Sequence, residues 1–211
     1  MPRPRLLTTD DWPEAELRAA VLAGELVPVG ACWASPAEPQ DAALRAEAVA
    51  WSLPDDRLVA AHRTAAWVWG ALSRPPCPLE CVLPSRVRLR VDPAAVHVRE
   101  VALLPDDVRV VAGLRVTAPL RTAVDLLRAP GPGPRGAGVG GTGGTGVGGV
   151  PPAGMHPADE DAVRGLVGTG VVEVGDLRRA LGALGVVPMV RQAERRVAAL
   201  FGPPARSARA R

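Results

Sequence analysis

A chain of 211 residues, 47% apolar and with a formal charge of +3 from 25 basic and 22 acidic side chains, has the material for one or two packed units and is not a highly charged tail. Its longest uninterrupted apolar runs are four or five residues against the roughly 20 that cross a bilayer, and no apolar signal core follows Met1-Pro2-Arg3-Pro4-Arg5, so a cytoplasmic protein without membrane contact is expected. Lys, Ile, Asn and Tyr are absent, which removes Schiff-base, P-loop and carboxylate–lysine nuclease chemistry; neither Gly-x-Ser-x-Gly nor His-Glu-x-x-His occurs, and neither an enzyme nor a cofactor is expected.

In residues 1–36, Asp11-x-x-Glu14 is spaced as a capping box with Pro13 in the first turn, and the run from Glu16 to Ala23 ahead of Gly24 predicts a helix of about 12 residues. Leu26-Val27-Pro28-Val29 and Ala31-Cys32-Trp33-Ala34 flank Gly30 and predict two short extended pieces around a glycine turn. A helix followed by a small hairpin is the second half of a winged helix, so this segment is expected to be a partial winged-helix element. If it reads DNA, Arg3, Arg5 and Arg18 are its local cations and would contact phosphate more than bases.

An α+β body is expected over residues 37–129. Residues 41–52 place Leu44, Ala48 and Trp51 at helical spacing with Arg45 and Glu47 directed elsewhere, and Pro54-Asp55-Asp56 ends the run. A second helix starts near His62 or Thr64, either of which can cap it, with Ala65, Val68, Trp69 and Leu72 on one face and Gly70 permitting a left-handed exit. Past Pro75-Pro76 the period shifts towards two, and residues 79–83, 87–91, 96–101 and 108–111 read as strands. Arg86, Arg88 and Arg90 alternate with Val87 and Leu89 and share one strand face, either solvated or against nucleic-acid phosphate. Thr117 reads as the cap of a helix over residues 118–128 with Pro119 in its first turn. There Arg121 and Asp125 meet at i, i+4, as a partly buried pair or with Arg121 facing a ligand.

Residues 130–157 hold 12 of the 23 glycines and almost no side chain able to bury area, so they are expected to be a disordered linker with a reach of roughly 30 Å. In residues 158–211, helices are expected over 159–167, 175–184 and 188–201, with Leu177, Leu181 and Leu184 on one stripe and Val190, Val197 and Leu200 on another. Arg191, Arg195 and Arg196 are placed on one helix side, and Arg206, Arg209 and Arg211 in a basic tail. Cys32, Cys77 and Cys81 lack zinc spacing and read as reduced core thiols; no metal is expected. All the tryptophans (Trp12, Trp33, Trp51, Trp67 and Trp69) precede the strand layer, which leaves it without aromatics to stack RNA bases.

Three strings have a familiar order: Leu26-Val27-Pro28-Val29-Gly30, His62-Arg63-Thr64-Ala65-Ala66-Trp67-Val68-Trp69-Gly70, and Gly113-Leu114-Arg115-Val116-Thr117-Ala118-Pro119-Leu120-Arg121-Thr122-Ala123-Val124-Asp125-Leu126. They resemble the AbiEi family of antitoxins from type IV toxin–antitoxin systems, and the third is the most specific. The resemblance implies a winged helix-turn-helix that binds operator DNA and represses its own operon. It also implies an antitoxin domain that counteracts a nucleotidyltransferase-like toxin without a stable complex. It is to the actinobacterial type, with a truncated winged helix and without a C-terminal nuclease-like domain. The motif residues carried over are His62, Arg63, Thr64, Trp69, Gly70, Thr117, Pro119, Arg121, Thr122 and Asp125. The acidic balance of the first 36 residues supports an alternative, an interaction or antitoxin-only module that does not bind DNA.

Overall fold

Gly24 and Gly30 adopt φ values of +77° and +63°, a backbone region open to glycine at little cost, and between them they end a helix and turn a hairpin. The computed structural model describes residues 5–84, 89–131, 154–185 and 187–203. Helix α1 (Glu14–Leu22) is shorter than its sequence pattern suggests, because the Asp11 carboxylate accepts from the amide and hydroxyl of Thr8 and closes the preceding turn; Pro13 takes the N-cap position. Strands β1 (Val27–Val29) and β2 (Cys32–Ala34) pair antiparallel, with Leu7 bridging to Trp33 beside them.

Helix α2 (Ala42–Ser52) is capped by Asp41, whose carboxylate accepts from the Leu44 amide at 2.8 Å. Its inner face is Leu44, Ala46, Ala48 and Val49. Two expectations are corrected here. Trp51 is 38% exposed and its indole donates to Asp10. Arg45 turns inward, its guanidinium 5.6 Å from the centre of the Trp67 ring and donating to the Trp67 carbonyl; a long aliphatic stem allows a charged head to cover an apolar surface in this way.

The main sheet has the order β5-β4-β3-β7-β6, from β3 (Val59–Ala60), β4 (Leu79–Leu83), β5 (Val96–Glu100), β6 (Val108–Val111) and β7 (Leu114–Thr117). Its centre is a two-residue strand: Ala60 is opposite Cys81 of antiparallel β4 and Val116 of parallel β7. Ala60 and Val116 face α2 and α3 (His62–Val68), while Val59, Ala61 and Val82 are covered on the other face by Val101, Leu103 and Val108. Neither β3 nor β7 was expected. Of the strand expected over residues 87–91, residues 85–88, with Arg86 and Arg88, lie outside the described residues, and 89–91 are not in a strand.

Helix α4 (Pro119–Arg128) starts from Ala118, not from a Thr117 cap. Helices α5 (Pro157–Gly168), α6 (Val174–Ala183) and α7 (Val190–Phe201) share one apolar core with α3 and α4 through Ala66, Ala123, Leu127, Leu166, Leu177 and Val197. Most of the expected linker, residues 132–153, lies outside the described residues, as do Arg3 and the tail arginines Arg206, Arg209 and Arg211. Cys32 and Cys81 are buried, but Cys77 is exposed, which corrects its placement as a core thiol. The architecture is α+β. No helix among the described residues is long and apolar enough to cross a membrane.

Candidate functional site

The polar residues of the two long motif strings collect at three places around α3 and α4. The first is a cavity of about 240 Å³ between the parallel β4–β5 edge of the sheet and the first turn of α5, lined by His62, Arg63, Glu80, Arg99, His156 and Asp159 among others. Arg63 is its centre. The Glu80 carboxylate accepts from the Arg63 backbone amide at 2.9 Å and from its guanidinium, so a strand side chain supplies the cap that neither His62 nor Thr64 provides. Asp159, at the start of α5, lies 3.6 Å from Arg63 Nε and completes a carboxylate–arginine–carboxylate bridge from sheet to C-terminal helices.

These groups are driven apart in their titration. Burial pushes the His62 pKa down, and the Arg99 cation adds to the effect. Burial also pushes Asp159 up, against the pull of Arg63. Glu80 is lowered: burial opposes its ionisation, but the hydrogen bonds and charge of Arg63 outweigh that. Cys81, beside Glu80 in β4, is pushed up to about 12 by burial and by the Glu80 charge. His62 holds φ at +48°, a strained region for a residue with a Cβ. The described lining of the cavity has no Ser, Thr or Cys to act as a nucleophile, and no His, Cys, Asp and Glu group among the described residues could hold a metal ion.

The second place is a buried hydroxyl node. Thr117 and Thr122 hydroxyls lie 2.7 Å apart, Thr122 donates to the Thr117 or Ala118 carbonyl, and Trp69 Nε1 donates to the Thr117 carbonyl at 2.9 Å. Thr64, also buried, accepts from the Glu80 amide at 2.7 Å and joins α3 to β4. Pro119 opens α4, and Gly70, at φ +84°, turns the chain out of α3. At the third place Arg121 donates to Asp125 at 2.8 Å and to Asp107 at 2.7 Å, with all three side chains less than 20% exposed.

The expected cations fall elsewhere. Arg5 is held by Glu38 and Asp41, Arg18 on α1 by Glu14 at 2.7 Å, and Arg90 is exposed. Sequence patterning missed Glu80, Asp107, Asp159 and Arg196. Arg196 shares an expected helix side with Arg191 and Arg195, yet it is 1% exposed while the other two are exposed.

Residues 58–135 match the AbiEi antitoxin C-terminal domain. This stretch belongs to the AbiEi antitoxin family. The match begins just before β3 and runs past α4, so the antitoxin domain contains the main sheet, the His62–Gly70 string and the Thr117–Asp125 string. The match supports an antitoxin role for the stretch it covers. Both partners of Arg121 lie within the antitoxin domain, whereas Asp159, the second partner of Arg63, comes from α5 outside it. Among solved structures, that of the RV2827C protein from Mycobacterium tuberculosis is similar at 20% identity and a TM-score of 0.39, covering 94% of this chain and 72% of that one. No curated protein matches.

Proposed function

We propose that this protein is the cytoplasmic antitoxin of a type IV pair, that it counteracts a nucleotidyltransferase-like toxin without bond-breaking chemistry of its own, and that it acts through the antitoxin domain braced by α5–α7. One observation carries the reading: the motif strings of the family form the polar nodes of the very stretch that matches it, residues 58–135. Co-expression with a nucleotidyltransferase-like toxin encoded beside it tests this. Growth restored by the full chain supports the reading, and continued arrest with soluble, folded protein present overturns it.

A second reading adds repression of the operon through operator DNA, and α1 followed by the β1–β2 hairpin favours it as the wing-bearing half of a reader. Charge weighs against it. Phosphate neutralisation supplies much of DNA affinity, yet Arg5 and Arg18 already serve carboxylates. A gel shift on its own promoter at low and moderate salt decides: retarded DNA supports the repressor, and free DNA at both leaves the antitoxin-only reading standing.

A further inference from the structure

Helix α1 buries one side chain, Leu17, while Trp12 before it is 53% exposed and Leu22 at its end is 91% exposed. It stands as a ridge between two grooves. One, of about 390 Å³, runs beside Trp12 and Leu17 and is rimmed by Glu16 and Glu25; the other, of about 660 Å³, runs beside Leu22 and Trp51. Exposed apolar side chains gathered along grooves in this way mark a contact surface.

The charge of this face is opposite to that of the chain. Residues 9–26 hold Asp10, Asp11, Glu14, Glu16 and Glu25 against Arg18 alone, in a protein with a net charge of +3. Three of those carboxylates are engaged locally: Asp10 by the Trp51 indole, Asp11 by Thr8 and Glu14 by Arg18. Glu16 and Glu25 have no side-chain partner among the described residues, and both border the Trp12 groove. Phosphate backbones and anionic lipid surfaces are repelled by such a rim. An apolar trough with unpaired carboxylates on its edge matches a helix that carries a leucine-like stripe flanked by cations.

We propose that the α1 face docks a basic amphipathic helix of a protein partner, with apolar side chains seated beside Trp12 and Leu17 and cations paired to Glu16 and Glu25. The inference goes beyond the antitoxin reading and does not depend on it. The test uses the full chain and two synthetic helical peptides, one with a leucine stripe opposite arginines and one with the same stripe opposite glutamates, followed by tryptophan fluorescence and peptide anisotropy.

The arginine peptide is expected to bind with a Kd on the order of 10 μM and the glutamate peptide not to bind. The exposed double variant Glu16→Arg/Glu25→Arg, with an unchanged circular dichroism spectrum, should weaken the arginine peptide at least about tenfold and admit the glutamate peptide. Equal binding to wild type and variant, no binding of the arginine peptide, or duplex DNA competing for the face overturns the proposal. So does a wild-type dimer that Leu22→Glu dissolves, which would make a second copy the occupant.

Discussion

The Arg196 guanidinium of α7 caps the C-terminus of α4, with Nη1 2.6 Å from the Leu127 carbonyl oxygen and 2.7 Å from that of Ala129. Its other terminal nitrogen donates to the Gly154 carbonyl at 3.1 Å. The last carbonyls of a helix have no intrahelical donor and sit at the negative end of its dipole, so a buried cation there is matched to them. One side chain thereby joins α7, the end of the antitoxin-family helix and the chain leading into α5.

Replacing Arg196 with Met should remove these charged hydrogen bonds and leave carbonyls unpaired, at a cost of about 2–4 kcal/mol. Arg196→Lys should recover part of it, since a point charge cannot span all three acceptors. Urea unfolding read in two ways localises the effect. All the tryptophans lie in the first 70 residues, so helix loss by circular dichroism should precede the tryptophan transition in Arg196→Met and coincide with it in the wild type. Coincident, unshifted transitions in the variant would mean that α7 is not held by this contact.

Arg63 holds two carboxylates that should respond oppositely to acid. Glu80 has a folded pKa below its ordinary 4.5, so its contribution is present above that value and is lost as pH falls through the folded pKa. Glu80→Gln should therefore cost about 1–3 kcal/mol at pH 7, and the gap from wild type should narrow below pH 4.5. Asp159 is raised above 3.8, so its ionisation opposes folding once pH exceeds that range; Asp159→Asn should be neutral or slightly stabilising at pH 7. His62, lowered from 6.5, adds a loss of stability as pH falls from there through its folded value. Urea midpoints at neutral and acidic pH for the two variants check the Glu80 and Asp159 signs, and a larger loss for Asp159→Asn than for Glu80→Gln would invert the assignment.

Local patterning was enough to find α1, the β1–β2 hairpin and the three C-terminal helices, where glycine stops and a helical apolar period agree, although the expected Asp11 cap of α1 gives way to Pro13. It was blind to β3. Val59 and Ala60 lie within the apolar run from Leu58 to Ala61, all buried, and a strand covered on both faces shows no alternation. The motif residues were visible as strings, but their chemistry was not, because Arg63 finds Glu80 and Asp159, and Arg121 finds Asp107, only through the sheet and helix packing. Arg196 misled for the same reason: a helical stripe of arginines reads as solvated until the carbonyls it serves are placed beside it.

Helix α5 meets the end of α3 through Gly165, where an added Cβ would fall well inside contact distance of the Ala71 carbonyl oxygen. Alanine is the better helix former by about 1 kcal/mol, so an isolated-helix argument expects Gly165→Ala to stabilise. The obstacle is backbone, which cannot swing aside as a side-chain end can, and overpacking of this kind costs about 1–3 kcal/mol or more. The substitution should lower the melting temperature and speed amide exchange in α5. A melting temperature at or above wild type would show that α5 slides away from Ala71 at little cost.

Arg121 joins the first turns of α4 to the turn ahead of β6, because Asp107 accepts from Arg121 with its side chain and from the Ala118 amide with its carbonyl. Removing the cation leaves Asp107 and Asp125, which are 19% and 13% exposed, without their shared partner. Arg121→Ala should therefore cost about 1–3 kcal/mol, with Arg121→Lys intermediate because a single ammonium cannot reproduce the two-sided contact. If the role is structural, protection against the toxin at low temperature, where the variant is folded, should equal that of the wild type and should fail only near its reduced melting point. An Arg121→Ala protein with wild-type urea stability that gives no protection would instead place this guanidinium on the surface through which the antitoxin works.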